Sequence, residues 1–524
     1  MDSKPGNLFM KTQKPNIVFI VLDTHRVDRL GCYGYERGTS QNLDSFSQNS
    51  TIYLKAISPA QWTIPSHASM FSGEYPTTHK TIQASDALNS QLVTLGEYAR
   101  YEGYKTIGFC NNPLVGVLDN GFRRGFQEFY NYGGTIPSTP SINGNNKNSL
   151  LSKIRRQYFK LIDRIATPIQ QAVAVSPEVL QIALNPLLVP LWTRFSNFKG
   201  DTEASIKDTT VYLKASEDQP KFIFLNLMET HMPYTPPRRY LKKFASIVLD
   251  DVEAGEFMSV YNTRALHWLL PLDKPYSSLQ SQTLSDMYDA EVAYQDHLLN
   301  QLLVVLDQPE HRENTLVIIV GDHGEMLGEH QIMGHGLGVH EELVHVPMMI
   351  RFPGQSNQNR IEQAVSTTRI FNTILEAIGL ETINMPNTEV VSTMETSLRN
   401  IQFNPKFIFS EAYPPESLLL VMEKYASDLI ERFHCRSVQW AVYNQPYKLI
   451  RIGNVRDDLY NYEIDPKETN ALAPKDDSGS ILKTELDRFI TSASQKGAHY
   501  TRDSVSGLVD QQVMEHLRNL GYLD

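Results

Sequence analysis

The chain has 524 residues, 41% hydrophobic and 20% charged. This is the make-up of a soluble globular protein with a large core, either two to four domains or one large α/β domain with an appendage. A formal net charge of −11 argues against general nucleic-acid binding, which needs a basic surface, but admits a small anionic substrate where a metal ion and histidines reverse the field of one cleft. Three cysteines, Cys32, Cys110 and Cys435, without CxxC or Cys/His metal spacing, argue against a disulfide framework and for a reducing compartment.

The residues up to Pro15 are mostly polar, and the apolar run Ile17–Leu22 is too short for a signal-peptide core or a bilayer span. The expectation is a cytoplasmic protein with no stable membrane span. Asn16–Leu22 reads as a buried parallel strand, and Asp23-Thr24-His25 follows at once. Ligand groups of open α/β sheets sit at the carboxyl ends of strands, so Asp23 is a candidate metal ligand, with helix capping as its ordinary alternative. Leu43–Ser50 reads as a helix and Ile52–Ile57 as a short strand.

Trp62-Thr63-Ile64-Pro65-Ser66-His67 then leads into an apolar, helix-compatible run ending at Gly73. Pro65 suits a helix start, where its missing N–H is not needed. Thr63 would lie where backbone N–H groups and the positive end of the helix dipole converge, a natural anion site. An N-capping Thr or Ser is the ordinary reading of the same stretch. Leu92–Gly103 reads as an amphipathic helix and Lys105–Cys110 as a strand closed by Asn111-Asn112-Pro113.

From Gly133 to about Asn148 the composition is that of a surface loop. Leu150–Phe198 is helical in pattern, basic first and then apolar; its prolines favour a cap over the active site against a membrane-surface segment. Strand Lys221–Leu227 ends in Met228-Glu229-Thr230-His231, and Leu284–Leu306 is a long amphipathic helix. Strand Thr315–Val320 ends in Gly321-Asp322-His323-Gly324, where the glycine would let the backbone turn away and leave both side chains at the strand tip. Gly334-His335-Gly336 and His340 precede a strand Val346–Ile350, and short strands at Lys406–Phe409, Val438–Tyr443 and Lys448–Ile452 follow.

Four strand ends thus carry polar groups, and a fifth segment offers Thr63. With Gly31-Cys32-Tyr33-Gly34, His231-Met232-Pro233-Tyr234, Asp322-His323-Gly324-Glu325, Tyr447–Ile450, Leu459-Tyr460-Asn461, Asp465-Pro466-Lys467-Glu468 and Leu520–Leu523, the chain resembles the sulfatase branch of the alkaline phosphatase superfamily. The resemblance covers nearly the whole chain, least between Gly133 and Asn197. It implies an α/β/α sandwich on a mixed, mainly parallel sheet with a smaller C-terminal α+β domain. Residues 1–400 would form the catalytic domain, with 133–198 an insertion or cap, and 401–524 the C-terminal part.

The resemblance also implies roles. Asp23, Asp322 and His323 resemble metal ligands and Thr63 a metal-activated nucleophile; Thr24 stands where sulfatases often place a second Asp ligand. His67 replaces an Arg that supports the nucleophile, giving a weaker, titratable charge. His231 resembles the His that contacts the transferred group, and His335 occupies the region of a Lys, as phosphoryl ligand or general acid. Asn112 resembles the substrate-contacting Asn before a Pro, with Asn111 the fallback. The cofactor is a divalent metal (Ca, Mn, Zn or Mg), as one ion, or as two if Glu229, His231 and His335 hold a second.

Sulfatases carry Cys-x-Pro-Ser-Arg, or Ser for Cys, with the first residue oxidised to formylglycine. Thr63-Ile64-Pro65-Ser66-His67 would oxidise to a ketone, so no formylglycine is expected. The expected reaction is hydrolysis of a phosphodiester or phosphonate-type monoester, a small anionic ester, through phospho-threonine. The alternatives are a sulfatase lacking formylglycine, a phosphotransferase to an alcohol, and an inactive binding relative. Self-association is left open.

Overall fold

The computed structural model describes residues 14–133, 199–384, 390–392, 396–400, 406–472 and 477–505. The expected loop after Gly133, the cap over 150–198 and the 520–523 motif lie outside them. The main sheet has nine strands: β1 (Asn16–Leu22), β2 (Thr51–Ile57), β3 (Lys105–Cys110), β4 (Glu128–Asn131), β5 (Lys221–Leu227), β6 (Thr315–Gly321), β7 (His345–Val346), β8 (Met348–Arg351) and β9 (Asn359–Ser366). They run in the order β7-β2-β8-β6-β1-β5-β3-β4, with β9 on the outer side of β2. β6, β1, β5, β3 and β4 are parallel, and β7 and β8 pair antiparallel to their neighbours. The expected mixed, mainly parallel sheet is therefore present. Pro347, which has no N–H to donate, divides the strand expected over Val346–Ile350 into β7 and β8.

Strand β1 shows how the two faces are filled. Every residue from Ile17 to Leu22 is buried. Val18, Ile20 and Leu22 pack with Leu284, Met287 and Leu299, whereas Ile17, Phe19 and Val21 pack with Ile64, Ala68 and Phe71. Period-two alternation on a strand buried on both sides gives helices on both faces. One layer holds α1 (Gln41–Ser47), α4 (Thr202–Lys214) and α5 (Ser278–Leu306); the other holds α2 (Thr63–Ser72), α3 (Leu95–Tyr101) and α6 (Arg369–Ala377). Helix α5 begins before the expected Leu284 because Ser277 and Gln280 form a capping box ahead of the apolar face.

A second sheet of four antiparallel strands, β10 (Ile408–Ala412), β11 (Gln439–Asn444), β12 (Tyr447–Ile452) and β13 (Arg456–Asn461), forms the C-terminal part and packs against α7 (Asp477–Gly497). Ala60, on the segment leading from β2 to α2, bridges to Glu411 of β10. Among the described residues no helix is long and apolar enough to cross a membrane.

Phe224 of β5 is the hub of the α2-side core, with ring centroids 5.2 Å from Phe71, 5.7 Å from Phe19 and 6.1 Å from Phe126. Phe224→Ala is expected to cost about 3–5 kcal/mol, read as a lowered denaturation midpoint; an unchanged midpoint would contradict this packing.

Candidate functional site

The parallel strands end on one edge, and the sheet register decides which residues meet there. Leu22 lies opposite both Gly321 and Leu227, so the next residues, Asp23 and Asp322, leave adjacent strands side by side. Helix α2 begins at Thr63 on the same edge. Trp62 is its N-cap and makes no side-chain cap, so the capping reading of Thr63 fails. Ser66 does not cap either: its hydroxyl donates to the Asp322 carbonyl at 2.8 Å, as that of Ser58 does at 2.5 Å.

Asp23, Asp322 and His323 are wholly buried and offer ligand atoms within 4.8 Å of one another. His323 Nδ1 donates to the Gly324 carbonyl at 2.9 Å. That fixes the tautomer and leaves the Nε2 lone pair 3.3 Å from Thr63 Oγ1, 3.5 Å from Asp322 Oδ2 and 3.9 Å from Asp23 Oδ1. Asp23 Oδ1 and Asp322 Oδ2 are buried without a hydrogen bond. Burial raises the Asp23 carboxyl to about 6 despite the Asn112 hydrogen bond, and burial together with Asp23 raises Asp322 well above the carboxylate range. Two bare carboxylate oxygens and an imidazole lone pair, converging out of water, fit a divalent cation.

Gly324 is needed for a different reason from the one expected. A Cβ there would lie 1.9 Å from the Glu342 carbonyl oxygen, and the Gly324 N–H donates to the Leu343 carbonyl at 2.7 Å. The glycine admits a close backbone approach rather than a free turn.

The remaining candidates divide. Asn112 Nδ2 donates to Asp23 Oδ2 at 2.6 Å and reaches Thr63 Oγ1 at 3.4 Å, while its Oδ1 caps the following turn at Leu114. Asn111 instead bonds Thr202 Oγ1 at 2.8 Å, away from the cluster. Thr24 has a left-handed backbone (φ 54°), and its hydroxyl donates to the Asp23 carbonyl at 2.7 Å, beside Thr230. His67 Nδ1 donates to the Thr63 carbonyl at 2.9 Å and its Nε2 faces Asn226 Nδ2 at 3.5 Å. Burial pulls the His67 imidazole down to about 4, so at neutral pH it does not supply the charge expected of an Arg substitute.

His231 and His335 reach the cluster by their rings: His335 lies 4.6 Å from the His323 ring centroid and 5.0 Å from that of His231. His231 Nδ1 donates to the Met232 carbonyl at 2.7 Å. His335 Nδ1 meets Glu325 Oε1 at 3.0 Å. Burial disfavours the proton on His335, but the Glu325 carboxylate outweighs it and raises the imidazole above its ordinary value. The alternative of a second metal on Glu229, His231 and His335 finds no such group among the described residues; the Glu229 carbonyl accepts from Lys199 Nζ at 2.7 Å.

Glu325, Asn226 and Ser58 were given no role by sequence reasoning, and Ser66 only that of a helix cap. Asn226 carried a signal, as the one amide inside the apolar strand Lys221–Leu227. The serines carried none, because their partner is a main-chain carbonyl more than 250 residues away.

Residues 15–380 match the sulfatase family model. The chain belongs to the sulfatase family. It is 22% identical to the uncharacterized sulfatase YidJ of Escherichia coli (strain K12), over 86% of this chain and 87% of that protein. It is 24% identical to the ulvan-active sulfatase of Formosa agariphila, over 71% of this chain and 63% of that protein. The phosphonate monoester hydrolase of Agrobacterium radiobacter has the same fold, with a TM-score of 0.61 at 17% identity, covering 92% of this chain and 96% of that one. Family membership and the Asp23–Asp322–His323 cluster make this a metal-dependent hydrolase of anionic esters.

Asp322→Asn is expected to lower bound divalent metal by one equivalent, measured by elemental analysis after loading with zinc, manganese or calcium. Without metal the variant should melt no lower than the parent, because it removes a like-charge pair from the interior. Unchanged stoichiometry would sink the ligand assignment.

Proposed function

We propose that the chain hydrolyses monoanionic esters, sulfate monoesters first among them, through a covalent ester on Thr63. The observation that carries this reading is the placement of Thr63 Oγ1, 3.3 Å from His323 Nε2 and 3.4 Å from Asn112 Nδ2, on the first residue of α2. A divalent ion held by Asp23, Asp322 and His323 would lower the pKa of the Thr63 hydroxyl and neutralise charge on the ester.

The chain's own groups supply the rest. Asn112 holds Asp23 Oδ2 and Thr63 Oγ1 together and so aims the nucleophile. Of the first turn of α2, Pro65 has no N–H and that of Ser66 donates to the Trp62 carbonyl, so the backbone N–H groups of Thr63 and Ile64 are the ones that would help hold the incoming anion. Thr63 Oγ1, having released its proton to solvent once its pKa is lowered, attacks the sulfur or phosphorus in line, the bond to the leaving oxygen breaks, and hydrolysis later returns Thr63 as the same alkoxide. The protonated His335, oriented by Glu325, gives its proton to that oxygen, with His231 at its side. The neutral His335 then takes a proton from the water that opens the Thr63 ester. Net charge favours a singly charged substrate. Two aspartates balance one divalent ion, and His67 is neutral where an Arg is expected, which leaves little to hold a dianion.

Family membership and the sulfatases among its relatives support sulfate esters. Thr63 itself supports a second reading, phosphate diesters or phosphonate monoesters. A threonyl ester has no second hydroxyl through which to expel sulfate by elimination, as a formylglycine hydrate does, so water must attack the central atom. The intact Asp23, Asp322 and His323 argue against an inactive relative. The three free cysteines, two of them buried, support a reducing, cytoplasmic setting.

Rates on aryl sulfate, aryl phosphate diester, aryl phosphonate and aryl phosphate monoester, in metal-loaded enzyme, test the reading. The three monoanionic esters should exceed the dianionic monoester. Thr63→Ala should lower kcat by at least about a thousandfold, and a quenched digest should show the sulfuryl or phosphoryl group on the Thr63 peptide. Activity that survives Thr63→Ala removes the nucleophile.

His335→Gln should lower kcat by about a hundredfold or more on alkyl esters and far less on nitrophenyl esters, whose leaving groups need no proton. An equal loss on both would contradict the acid role.

A further inference from the structure

The turn at residues 329–331 carries His330, and His340 precedes the short helix Glu341–Val344. Their imidazole rings stack with centroids 3.9 Å apart and 10° between planes. His340 Nδ1 lies 2.8 Å from Glu468 Oε2, which comes from the turn after β13. Ligand atoms of His330, His340 and Glu468 all fall within 4.8 Å of one another. A metal lies in the plane of the imidazole that binds it, so one of the two rings turns out of the stack when this set closes on one ion.

Three further observations point to a cation. Glu342 Oε2 and His330 Nε2 are 3.8 Å apart, and both are buried without a hydrogen bond. The ammonium groups serve other carboxylates: Lys55 and Lys448 pair with Glu341 and Glu468, as do His345 and His340, whereas Glu342 has only the His330 imidazole within ion-pair distance among the described residues. Finally, His330 (φ 54°) and Glu468 (φ 51°) both hold left-handed backbones. Such conformations cost free energy for residues with a side chain and gather at functional positions.

We propose that His330, His340 and Glu468, with Glu342 beside them, form a second divalent-metal site of zinc type, separate from the Asp23–Asp322–His323 centre. Two imidazoles and carboxylate oxygens are the donor set that zinc or cobalt takes in preference to calcium or magnesium. The site spans two parts of the fold. His330 and His340 flank the segment that carries His335, and Glu468 belongs to the C-terminal part. A bound ion there ties the His335 segment to the C-terminal sheet.

The test counts metal in proteins that lack one site or the other, so its outcome does not depend on catalysis. The parent, loaded with zinc and dialysed, should hold two equivalents and Asp322→Asn one. The cobalt form of Asp322→Asn should show the intense visible absorption of four-coordinate cobalt. His340→Phe keeps an aromatic ring at the position and removes both ring nitrogens. In either background it should remove one equivalent, and in Asp322→Asn it should also abolish the cobalt absorption and the zinc-dependent rise in melting temperature. Should His340→Phe not fold, Glu468→Gln takes its place, with zinc affinity expected to fall about tenfold or more. An Asp322→Asn protein that binds neither zinc nor cobalt, or a His340→Phe protein with undiminished stoichiometry, overturns the second site; a proton shared by His330 and Glu342 then accounts for the cluster.

Discussion

The structure depends on two carboxylates buried at the same edge of a parallel sheet. Pairing of Leu22 with Gly321 forces Asp23 and Asp322 into each other's company, and burial makes their charge costly. The protein resolves half of the problem itself. Asn112 takes Asp23 Oδ2, and the backbone N–H groups of Thr24 and His323 take Asp322 Oδ1 at 3.3 and 2.9 Å. The other oxygen of each is left bare. Each carboxylate is thus anchored through one atom and offers the other. This is how a ligand set is preorganised without being satisfied, and a cation is what completes it.

Much of this was legible in the sequence because it lies along the chain. Lys105–Cys110 and Lys221–Leu227 appear as strands with the expected bounds, since apolar runs of that length cut off by polar residues leave little choice of element. The polar residue after each run marks the sheet's carboxyl edge, which is why Asp23, Asn112, Asp322 and His323 could be named before their distances were known. What was not legible depends on packing between distant segments. Nothing local says that Asn111 turns to Thr202 while Asn112 turns to Asp23. Nothing local says that Thr24 spends its hydroxyl on the Asp23 carbonyl, or that Glu325 and not Glu229 meets His335. Helix ends were missed where capping decides them, as at Ser277, and the His330–His340–Glu468 cluster was hidden by a separation of 128 residues between His340 and Glu468.

The replacement at His67 shows why residue type alone misleads about charge. An imidazole exposed to water titrates near neutrality, but this one is enclosed by Phe71, Phe122 and Phe224, with ring centroids 6.2–6.3 Å away. Aromatic walls disfavour its protonated form, and its Nδ1–H already serves the Thr63 carbonyl. His67 therefore orients the first turn of α2 as a neutral hydrogen-bonding group. The proton is favoured instead on His335, whose imidazole the Glu325 carboxylate raises above its ordinary value. In the proposed reaction, a site whose cationic imidazole stands on the leaving-group side, with none beneath Thr63, would handle charge that develops on departure better than charge already present in the ground state.

The C-terminal sheet supports the segment that bears His335, although it contributes no residue to the Asp23–Asp322–His323 cluster. The segment bearing His335 has to be held in place from outside the main sheet. Gln61 Nε2 donates to the Tyr413 carbonyl at 2.8 Å and reaches the Gly336 carbonyl at 3.5 Å. Lys448 of β12, fully buried, donates to the Val339 carbonyl at 2.7 Å and pairs with Glu341 and Glu468. Glu468 in turn meets His340. At its start the same segment is pressed against the Glu342 carbonyl through Gly324. His323, of the candidate metal cluster, and His335, the proton donor of the proposed reaction, are thus set by one stretch of chain, clamped between β6 and the second sheet. Weakening the clamp should displace His335 before it disturbs Asp322 and His323, because these two remain anchored to the end of β6 while His335 relies on contacts beyond it.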